Sequence, residues 1–463
     1  MKSNLAQLLH SVKSGVVAEN AFFEGITTDS RSAASGNLFV ALRGDRFDAH
    51  DFLSDVIAKG VAAVVVEHVP VGVKVPALVV PNTRVALGEI AMGWRRQFTL
   101  PVIGVTGSNG KTTVKEMIAS ILNAAFGENH FMATRGNFNN DIGVPLTMLR
   151  LTSSHQAAVI ELGMNHPGEI AVLSAIAQPT VALVNNAQRE HQEFMESVEA
   201  VARENGAVIQ SLAEDGIAVF PSDDPHTPLW REYASKRKVI SFGFSDDADV
   251  SCTVESSDFG SLLQVNVGEN KFPVTLAAAG LHNVRNAMAA IACASAMGIS
   301  VAAITRGLES FAPVNGRLQR KLAPLGTVVI DDTYNANPDS VRAAIDVLAQ
   351  ANAPRILVLG DMGEVGDDGV KFHEEIGAYA AERGIDVVHT LGVLAQHSTK
   401  AFGMQGQHHE TITALNQKLS EVITAASTVL VKGSRFMKME RVVQHLLGGE
   451  LGDDNKKSLM EAH

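Results

Sequence analysis

The densest chemistry in this chain is the run Val102-Ile-Gly-Val-Thr-Gly-Ser-Asn-Gly-Lys-Thr-Thr113. An apolar strand enters a glycine-rich turn, Lys111 and Thr112 follow, and a helical pattern begins. Gly107 and Gly110 let the backbone curl so that its N–H groups point inward, as phosphate oxygens require. The following helix adds partial positive charge at its N-terminus. In such a loop the lysine reaches the β- and γ-phosphates and the Thr112 hydroxyl holds Mg²⁺. The common form of the motif has a glycine where Val105 stands, so this loop is a variant, G-x-x-G-K-T-T. A chance glycine turn is the alternative, and the order of strand, turn, Lys-Thr and helix argues against it. A nucleotide site alone leaves a ligase, a kinase, a transport ATPase and a regulatory switch all open.

Three other places could serve that loop. Glu161 ends the apolar strand AAVIELG, and the C-terminal end of a parallel strand is where ligands bind in open α/β sheets. Its carboxylate suits Mg²⁺; a solvated strand-end acid is the plainer reading. His191 follows the strand TVALVNN and offers a ring nitrogen, or is a surface histidine. The stretch TRGNFNNDIG (134–143) gathers Asn137, Asn139, Asn140 and Asp141, either to reach a substrate or to make Asx-turns.

These groups need a scaffold. The chain has 463 residues, so at roughly 150 per domain three domains are expected. Hydrophobic residues make up 46% and charged residues 19%, enough apolar side chains for large cores. The net charge of −12 argues against nucleic acid as the main partner. Cys252 and Cys293 form no disulfide framework and read as buried thiols in a reducing, cytoplasmic setting. The opening MKSNLAQLLHSV lacks an apolar run, so no secretion signal is expected. The uncharged stretch 287–304 reads as a buried helix and a turn, and no membrane insertion is expected.

Three blocks follow. Residues 1–98 carry apolar runs at 36–42, 61–66 and 76–80, then a helical pattern from Val85 to Phe98. Residues 99–313 alternate strand-like and helical stretches, the signature of a parallel sheet, with hairpin-like segments over 250–276. Residues 314–463 alternate again: TVVIDD, a helix from Pro338, RILVLG, a helix around Lys371–Glu382, VVHTLG, STVLVKG and a last helix. The tail GGELGDDNKKSLMEAH is polar and expected to fray. The expected fold class is α/β: a small first domain, a central parallel-sheet phosphate-loop domain with a short antiparallel extension, and a C-terminal Rossmann-like domain.

Strings spread over nearly the whole length resemble the Mur ligases, and among them those that add D-alanyl-D-alanine. They are TTDSR (27–31), FVALRGDRFDAHDF (39–52), TGSNGKTTVKEM (106–117), GNFNNDIGVPLTML (136–149), ELGMNHPGEI (161–170), HNVRNAMAA (282–290), NGRLQ (315–319), DDTYNANPDS (331–340), GDMGEVG (360–366) and KGSRFMKME (432–440). Val365 stands where the family string has leucine. The resemblance implies that the first domain binds the UDP part of a UDP-muramoyl-tripeptide through Thr28, Ser30 and Arg31. It implies that Thr106, Gly107, Ser108, Asn109, Gly110, Lys111, Thr112 and Thr113 bind ATP. Asn283 is implied at adenine, and Arg317 and Asp332 close on the nucleotide from the third domain. Lys111, Glu161 and His191 are implied as the catalytic set, with Thr112, Glu161 and His191 holding Mg²⁺. Asn137, Tyr334, Asn335 and Asn337 are implied at the substrate.

The implied reaction activates the tripeptide carboxylate as an acyl phosphate, which the amine of D-alanyl-D-alanine then attacks. Asp361, Glu364 and His373 are candidates for the base that takes the amine proton. For Asp331 or Asp332, a helix cap before Pro338 is the competing role, as is an Arg317–Asp332 ion pair. A monomer is expected. One position departs from the family: Asn205 stands where most Mur ligases carry a lysine that becomes a carbamate metal ligand. The expectation is that the Asn205 side-chain oxygen serves a metal-bound water or orients His191. The alternatives are a sister ligase adding a single amino acid, a folylpolyglutamate synthase, and a phosphate-loop regulator or transport ATPase.

Overall fold

The computed structural model describes residues 1–44, 47–190, 192–257, 260–324 and 326–448. His191 and the tail from residue 449 onward therefore lie outside the described residues. Most strands fall into three sheets that follow one another along the chain.

The first sheet is small. Ile26–Thr27, Leu38–Val40, Ala63–Val66 and Ala77–Val79 run parallel, with Val16–Val17 antiparallel at one edge. The helix Thr83–Arg95 leaves this block and ties it to the next. Arg95 is buried, and its guanidinium donates to the carbonyls of Ala177, Phe98, Leu100 and Gln178 at 2.6–3.3 Å. Four carbonyl partners offset the cost of burying that cation. The cores of the two blocks accordingly merge, from Leu5 to Ala234.

The central sheet has nine strands. Its parallel part is Phe131–Ala133, Ala157–Glu161, Val102–Thr106, Val181–Val184, Ile217–Pro221 and Lys238–Phe242, in that spatial order. Val102–Thr106, Ala157–Glu161 and Val181–Val184 are buried at every residue, because helices cover both faces. Val250–Ser257, Gly260–Val267 and Asn270–Leu276 then extend the sheet as antiparallel hairpins. Val102–Thr106 lies between strands reached by connections running in opposite directions. That makes its C-terminal end a switch point, where open α/β sheets bind ligands. The uncharged stretch after Ala287 is the buried end of the helix Leu281–Ala296, followed by Val301–Glu309. Among the described residues no helix is long and apolar enough to cross a membrane. Both cysteines are free and buried, and burial pushes the Cys252 thiol up to about 11.

The third sheet orders Gln319–Leu322, Val328–Asp332, Thr428–Lys432, Arg355–Gly360, Val387–Leu391 and Gly406–His409. All are parallel except the first. The last strand in the chain thus inserts beside the first parallel one, and register sets Lys432 against Asp332. Successive strand residues face opposite ways, so Asp331 turns from the cavity described below and pairs with Lys321 at 2.6 Å. Neither aspartate caps the next helix. Asn337 caps Pro338–Ala349, in a reciprocal capping box with Ser340.

Candidate active site

The end of Val102–Thr106 opens into a cavity of about 1330 Å³, lined by the central and third blocks and by Arg84 of the first. The loop at its floor is held from behind by asparagines. Asn186 accepts from the Asn109 N–H at 2.9 Å and donates to the Asn109 carbonyl at 2.9 Å. Asn185 donates to the same carbonyl at 2.8 Å and to Asn286 at 2.9 Å, and Asn286 donates to Asn283 at 3.2 Å. Gly110 sits at φ +82°, and a Cβ there would lie 2.4 Å from Asn286 Oδ1, so both backbone and space require glycine. Thr106 and Gly107 are fixed by Asn205, as described below; Thr113 is buried in the first turn of Lys111–Phe126.

Lys111 Nζ donates to the Gly107 carbonyl, to that of Ser108 at 3.2 Å and to Glu190 Oε1 at 2.8 Å. Both members of the Lys111–Glu190 pair are largely buried. The cation is therefore held at the loop, where an incoming phosphate would compete with Glu190 for it. Glu190 had no role in the sequence reading; its only signal is a position beside His191.

Thr112 Oγ1 donates to Glu161 Oε1 at 3.2 Å, and Asn139 Nδ2 donates to the same oxygen at 2.9 Å. Glu161 is 2% exposed, and its Oε2 is buried without a hydrogen-bond partner among the described residues. A buried carboxylate oxygen left unpaired is costly unless a cation meets it. Two hard oxygens facing one cavity suit Mg²⁺. His191, expected as a third ligand, lies outside the described residues. Among the described residues no cluster of three or more His, Cys, Asp or Glu stands ready for a metal.

The third block closes the cavity. Arg317 Nη2 donates to Thr112 Oγ1 at 2.8 Å, and its guanidinium carbon sits 4.2 Å from the centre of the Tyr334 ring. Asp332 does not pair with Arg317. Its Oδ2 accepts from buried Lys432 at 2.6 Å and its Oδ1 from the Leu318 N–H at 3.1 Å. Lys432 also donates to the Asn335 carbonyl at 2.8 Å. Asn337, besides capping its helix, exchanges amide hydrogen bonds with Asn109 at 2.9 and 3.3 Å. Tyr334, Asn335, Asn337, Asn283, Arg317 and Asp332 all line the cavity.

Other expected residues stand elsewhere. Asn137 is exposed and outside the cavity lining, and Asn139, two residues on, takes the place at Glu161. Gly143 allows this: a Cβ there would lie 2.4 Å from the Phe138 backbone, so the loop packs directly on the helix Gly143–Met148. Thr28, Ser30 and Arg31 sit in the loop after Ile26–Thr27, outside this cavity. Arg31 pairs with Asp29, and Lys59 donates to the Ser30 carbonyl.

The structure also places Asn205 and the three candidate bases. Asn205 is 1% exposed; its Oδ1 accepts from the Gly107 N–H at 3.0 Å and its backbone carbonyl from Thr106 Oγ1 at 3.1 Å. Its side-chain oxygen braces the phosphate loop instead of reaching into the cavity, because its helix, Val198–Gln210, packs behind the loop; the expected partner His191 lies outside the described residues. Asp361 accepts from three consecutive N–H groups, those of Val393, Leu394 and Ala395, and is a backbone clasp. His373 is fully buried, with Nε2 accepting from the Met362 N–H and Nδ1 bonded to the Gly369 carbonyl. Burial lowers its pKa, and neither ring nitrogen is available to an amine. Glu364 is exposed, outside the cavity lining.

Comparison with known proteins agrees with this layout. The family model "Mur ligase middle domain" matches residues 105–294, "Mur ligase, glutamate ligase domain" matches 316–435, and "Mur ligase family, catalytic domain" matches 23–95. A UDP-N-acetylmuramoyl-tripeptide–D-alanyl-D-alanine ligase of Haemophilus influenzae is 39% identical, over 96% of this chain and 97% of that one. A crystal structure of MurF from Acinetobacter baumannii superposes with a TM-score of 0.91 at 37% identity, over 97% and 99% of the two chains. MurF ligase from Thermotoga maritima, solved in complex with ADP, gives 0.82 at 27% identity, over 92% and 97%.

Proposed function

The chain belongs to the Mur ligase family, and on that premise we propose that it joins D-alanyl-D-alanine to a UDP-N-acetylmuramoyl-tripeptide, using ATP, in peptidoglycan precursor synthesis. The observation that carries the reading is the meeting of Arg317 with Thr112. It brings the third block onto the phosphate loop in the same cavity as Glu161. The divisions 1–98, 99–313 and 314–463 are proposed as its three domains, built on the five-, nine- and six-stranded sheets in turn.

In the proposed reaction a carboxylate oxygen of the tripeptide attacks the γ-phosphorus of ATP. The bond to the bridging oxygen breaks, ADP leaves and an acyl phosphate forms. The amino nitrogen of D-alanyl-D-alanine, deprotonated, then attacks the acyl carbon, and the tetrahedral intermediate expels phosphate. Lys111, once it exchanges Glu190 for phosphate, stabilises the charge spread over the phosphoryl oxygens. Thr112 and Glu161, with His191, would hold Mg²⁺, which supplies charge neutralisation there. The acyl phosphate is labile to water, and the roof of Arg317, Tyr334 and Asn337 limits its access.

Thr28, Ser30 and Arg31 are proposed to meet the uridine end, and Asn283 the adenine. The cytoplasm is proposed as the place of action because ATP and a UDP-linked substrate are found there. A monomer is proposed. The test is phosphate release with ATP, Mg²⁺ and the UDP-muramoyl-tripeptide, offering each amine in turn. Release only with D-alanyl-D-alanine is expected. Equal turnover with L-alanine, D-glutamate or a folate substrate would sink the assignment. Slow turnover indifferent to any amine would instead favour a phosphate-loop regulator.

A further inference from the structure

The segment after Val181–Val184 has two sides with different partners. Toward the phosphate loop, Asn185 and Asn186 hold Asn109 as described. Gln188 Oε1 accepts from Asn109 Nδ2 at 2.7 Å, the Gln188 N–H donates to Ser108 Oγ at 2.9 Å, and Glu190 takes Lys111. Arg189 turns the other way, to the third block. Its Nε and Nη2 donate to Asp339 at 2.6–3.2 Å, and its Nη1 and Nη2 donate to Glu375 at 2.7 and 3.0 Å. Its backbone N–H donates to Asp339 as well, at 2.9 Å. The guanidinium carbon stands 5.3 Å from the centre of the Phe372 ring. Arg342 donates to Glu375 at 3.0 Å, so two cations meet two carboxylates.

We propose that Arg189 is a positioning residue: it couples docking of the third block to the shape of the phosphate loop. The inference rests on the nucleotide site proposed above. A guanidinium presents a rigid fork of donors and can hold two carboxylates at once. Asp339 lies in the first turn of the helix that Asn337 caps, and Asn337 is the residue that pairs with Asn109. Seating Asp339 on Arg189 therefore seats Asn337 on the loop, and the same strap presents Gln188 to Asn109. The side chains of Arg189, Asp339 and Glu375 are about one quarter exposed, so the pairs are partly screened. Their effect should show in nucleotide affinity more than in fold stability.

The test uses the full-length protein and Arg189→Ala, Glu375→Gln and the double variant, with ADP affinity measured by equilibrium titration and folding by thermal melting. Arg189→Ala is expected to weaken ADP binding about tenfold with a nearly unchanged melting temperature. Glu375→Gln should weaken it less, and the double variant should be no worse than Arg189→Ala, since both remove one coupling. Arg189→Lys, which keeps charge but not the fork, should fall between wild type and Arg189→Ala, and it guards against a misfolded alanine variant. Wild-type ADP affinity in Arg189→Ala, or losses that multiply in the double variant, overturns the proposal. Lys111→Ala run alongside separates the two readings. Loss of ADP binding there with none in Arg189→Ala defeats only the coupling, whereas retained binding in Lys111→Ala defeats the nucleotide site itself.

Discussion

The central and third blocks both deliver polar residues from the C-terminal ends of parallel strands, yet they hold them differently. On the central sheet the phosphate loop is braced within its own block. Asn185, Asn186, Asn205 and Asn286 satisfy or pack against its backbone from residues no further along than the helix Leu281–Ala296. On the third sheet, Asp332 and Lys432 also fix each other internally. Arg317 and Asn337, however, also reach across the block boundary, to Thr112 and Asn109. One half of the site is thus built by local folding, and the other half exists only when two blocks dock. The first half should hold the phosphates, and docking of the second should tighten nucleotide binding and permit the chemistry.

The strongest way to break that comparison is to remove the third block. A chain ending at residue 312 is expected to fold, because the core of the central sheet is largely separate from those of the third. It should bind ATP weakly and release no product. Normal catalysis by this fragment would show that docking is dispensable.

Next in size is Lys111→Ala. It removes the cation that follows the transferring phosphoryl group, and turnover should fall on the order of a hundredfold or more with the fold intact. Near-normal activity would be incompatible with a phosphate loop here. Arg317→Ala tests the docked half at one side chain. The half-buried guanidinium touches Thr112 and stacks on Tyr334, so its loss should raise the KM for ATP about tenfold, with Arg317→Lys recovering only part. Full recovery by lysine would mean that charge alone, not the fork, is needed.

The smallest effect expected is at Asn205. Its side chain satisfies one loop N–H, and Asn205→Ala should cost about 1 kcal/mol of stability and raise the KM for ATP a few fold. The Mg²⁺ concentration for half-maximal rate should not shift separately from ATP affinity, and added bicarbonate should have no effect. A selective rise in Mg²⁺ requirement would point instead to a metal-site role for Asn205.

The sequence by itself determined the α/β class, the parallel core strands and the phosphate loop. Each is a local pattern: an apolar run buried on both faces, a glycine turn, a lysine at a helix start. Resemblance then marked Arg317, Asp332, Asn283 and Tyr334, and the cavity does gather them. What only the tertiary structure decided is which polar groups face one another. Asn205 and Asn139 are the same residue type in comparably polar strings; one is turned under the loop by its helix and the other reaches Glu161 across a glycine contact. Asp361 and His373 looked free for chemistry and are consumed by backbone N–H and C=O groups. Glu190 and Arg189, adjacent in sequence, point to different blocks. A polar side chain goes to whichever unpaired donor or acceptor the packed backbone leaves within reach, and that distance is fixed by sheet order and helix docking, not by spacing along the chain.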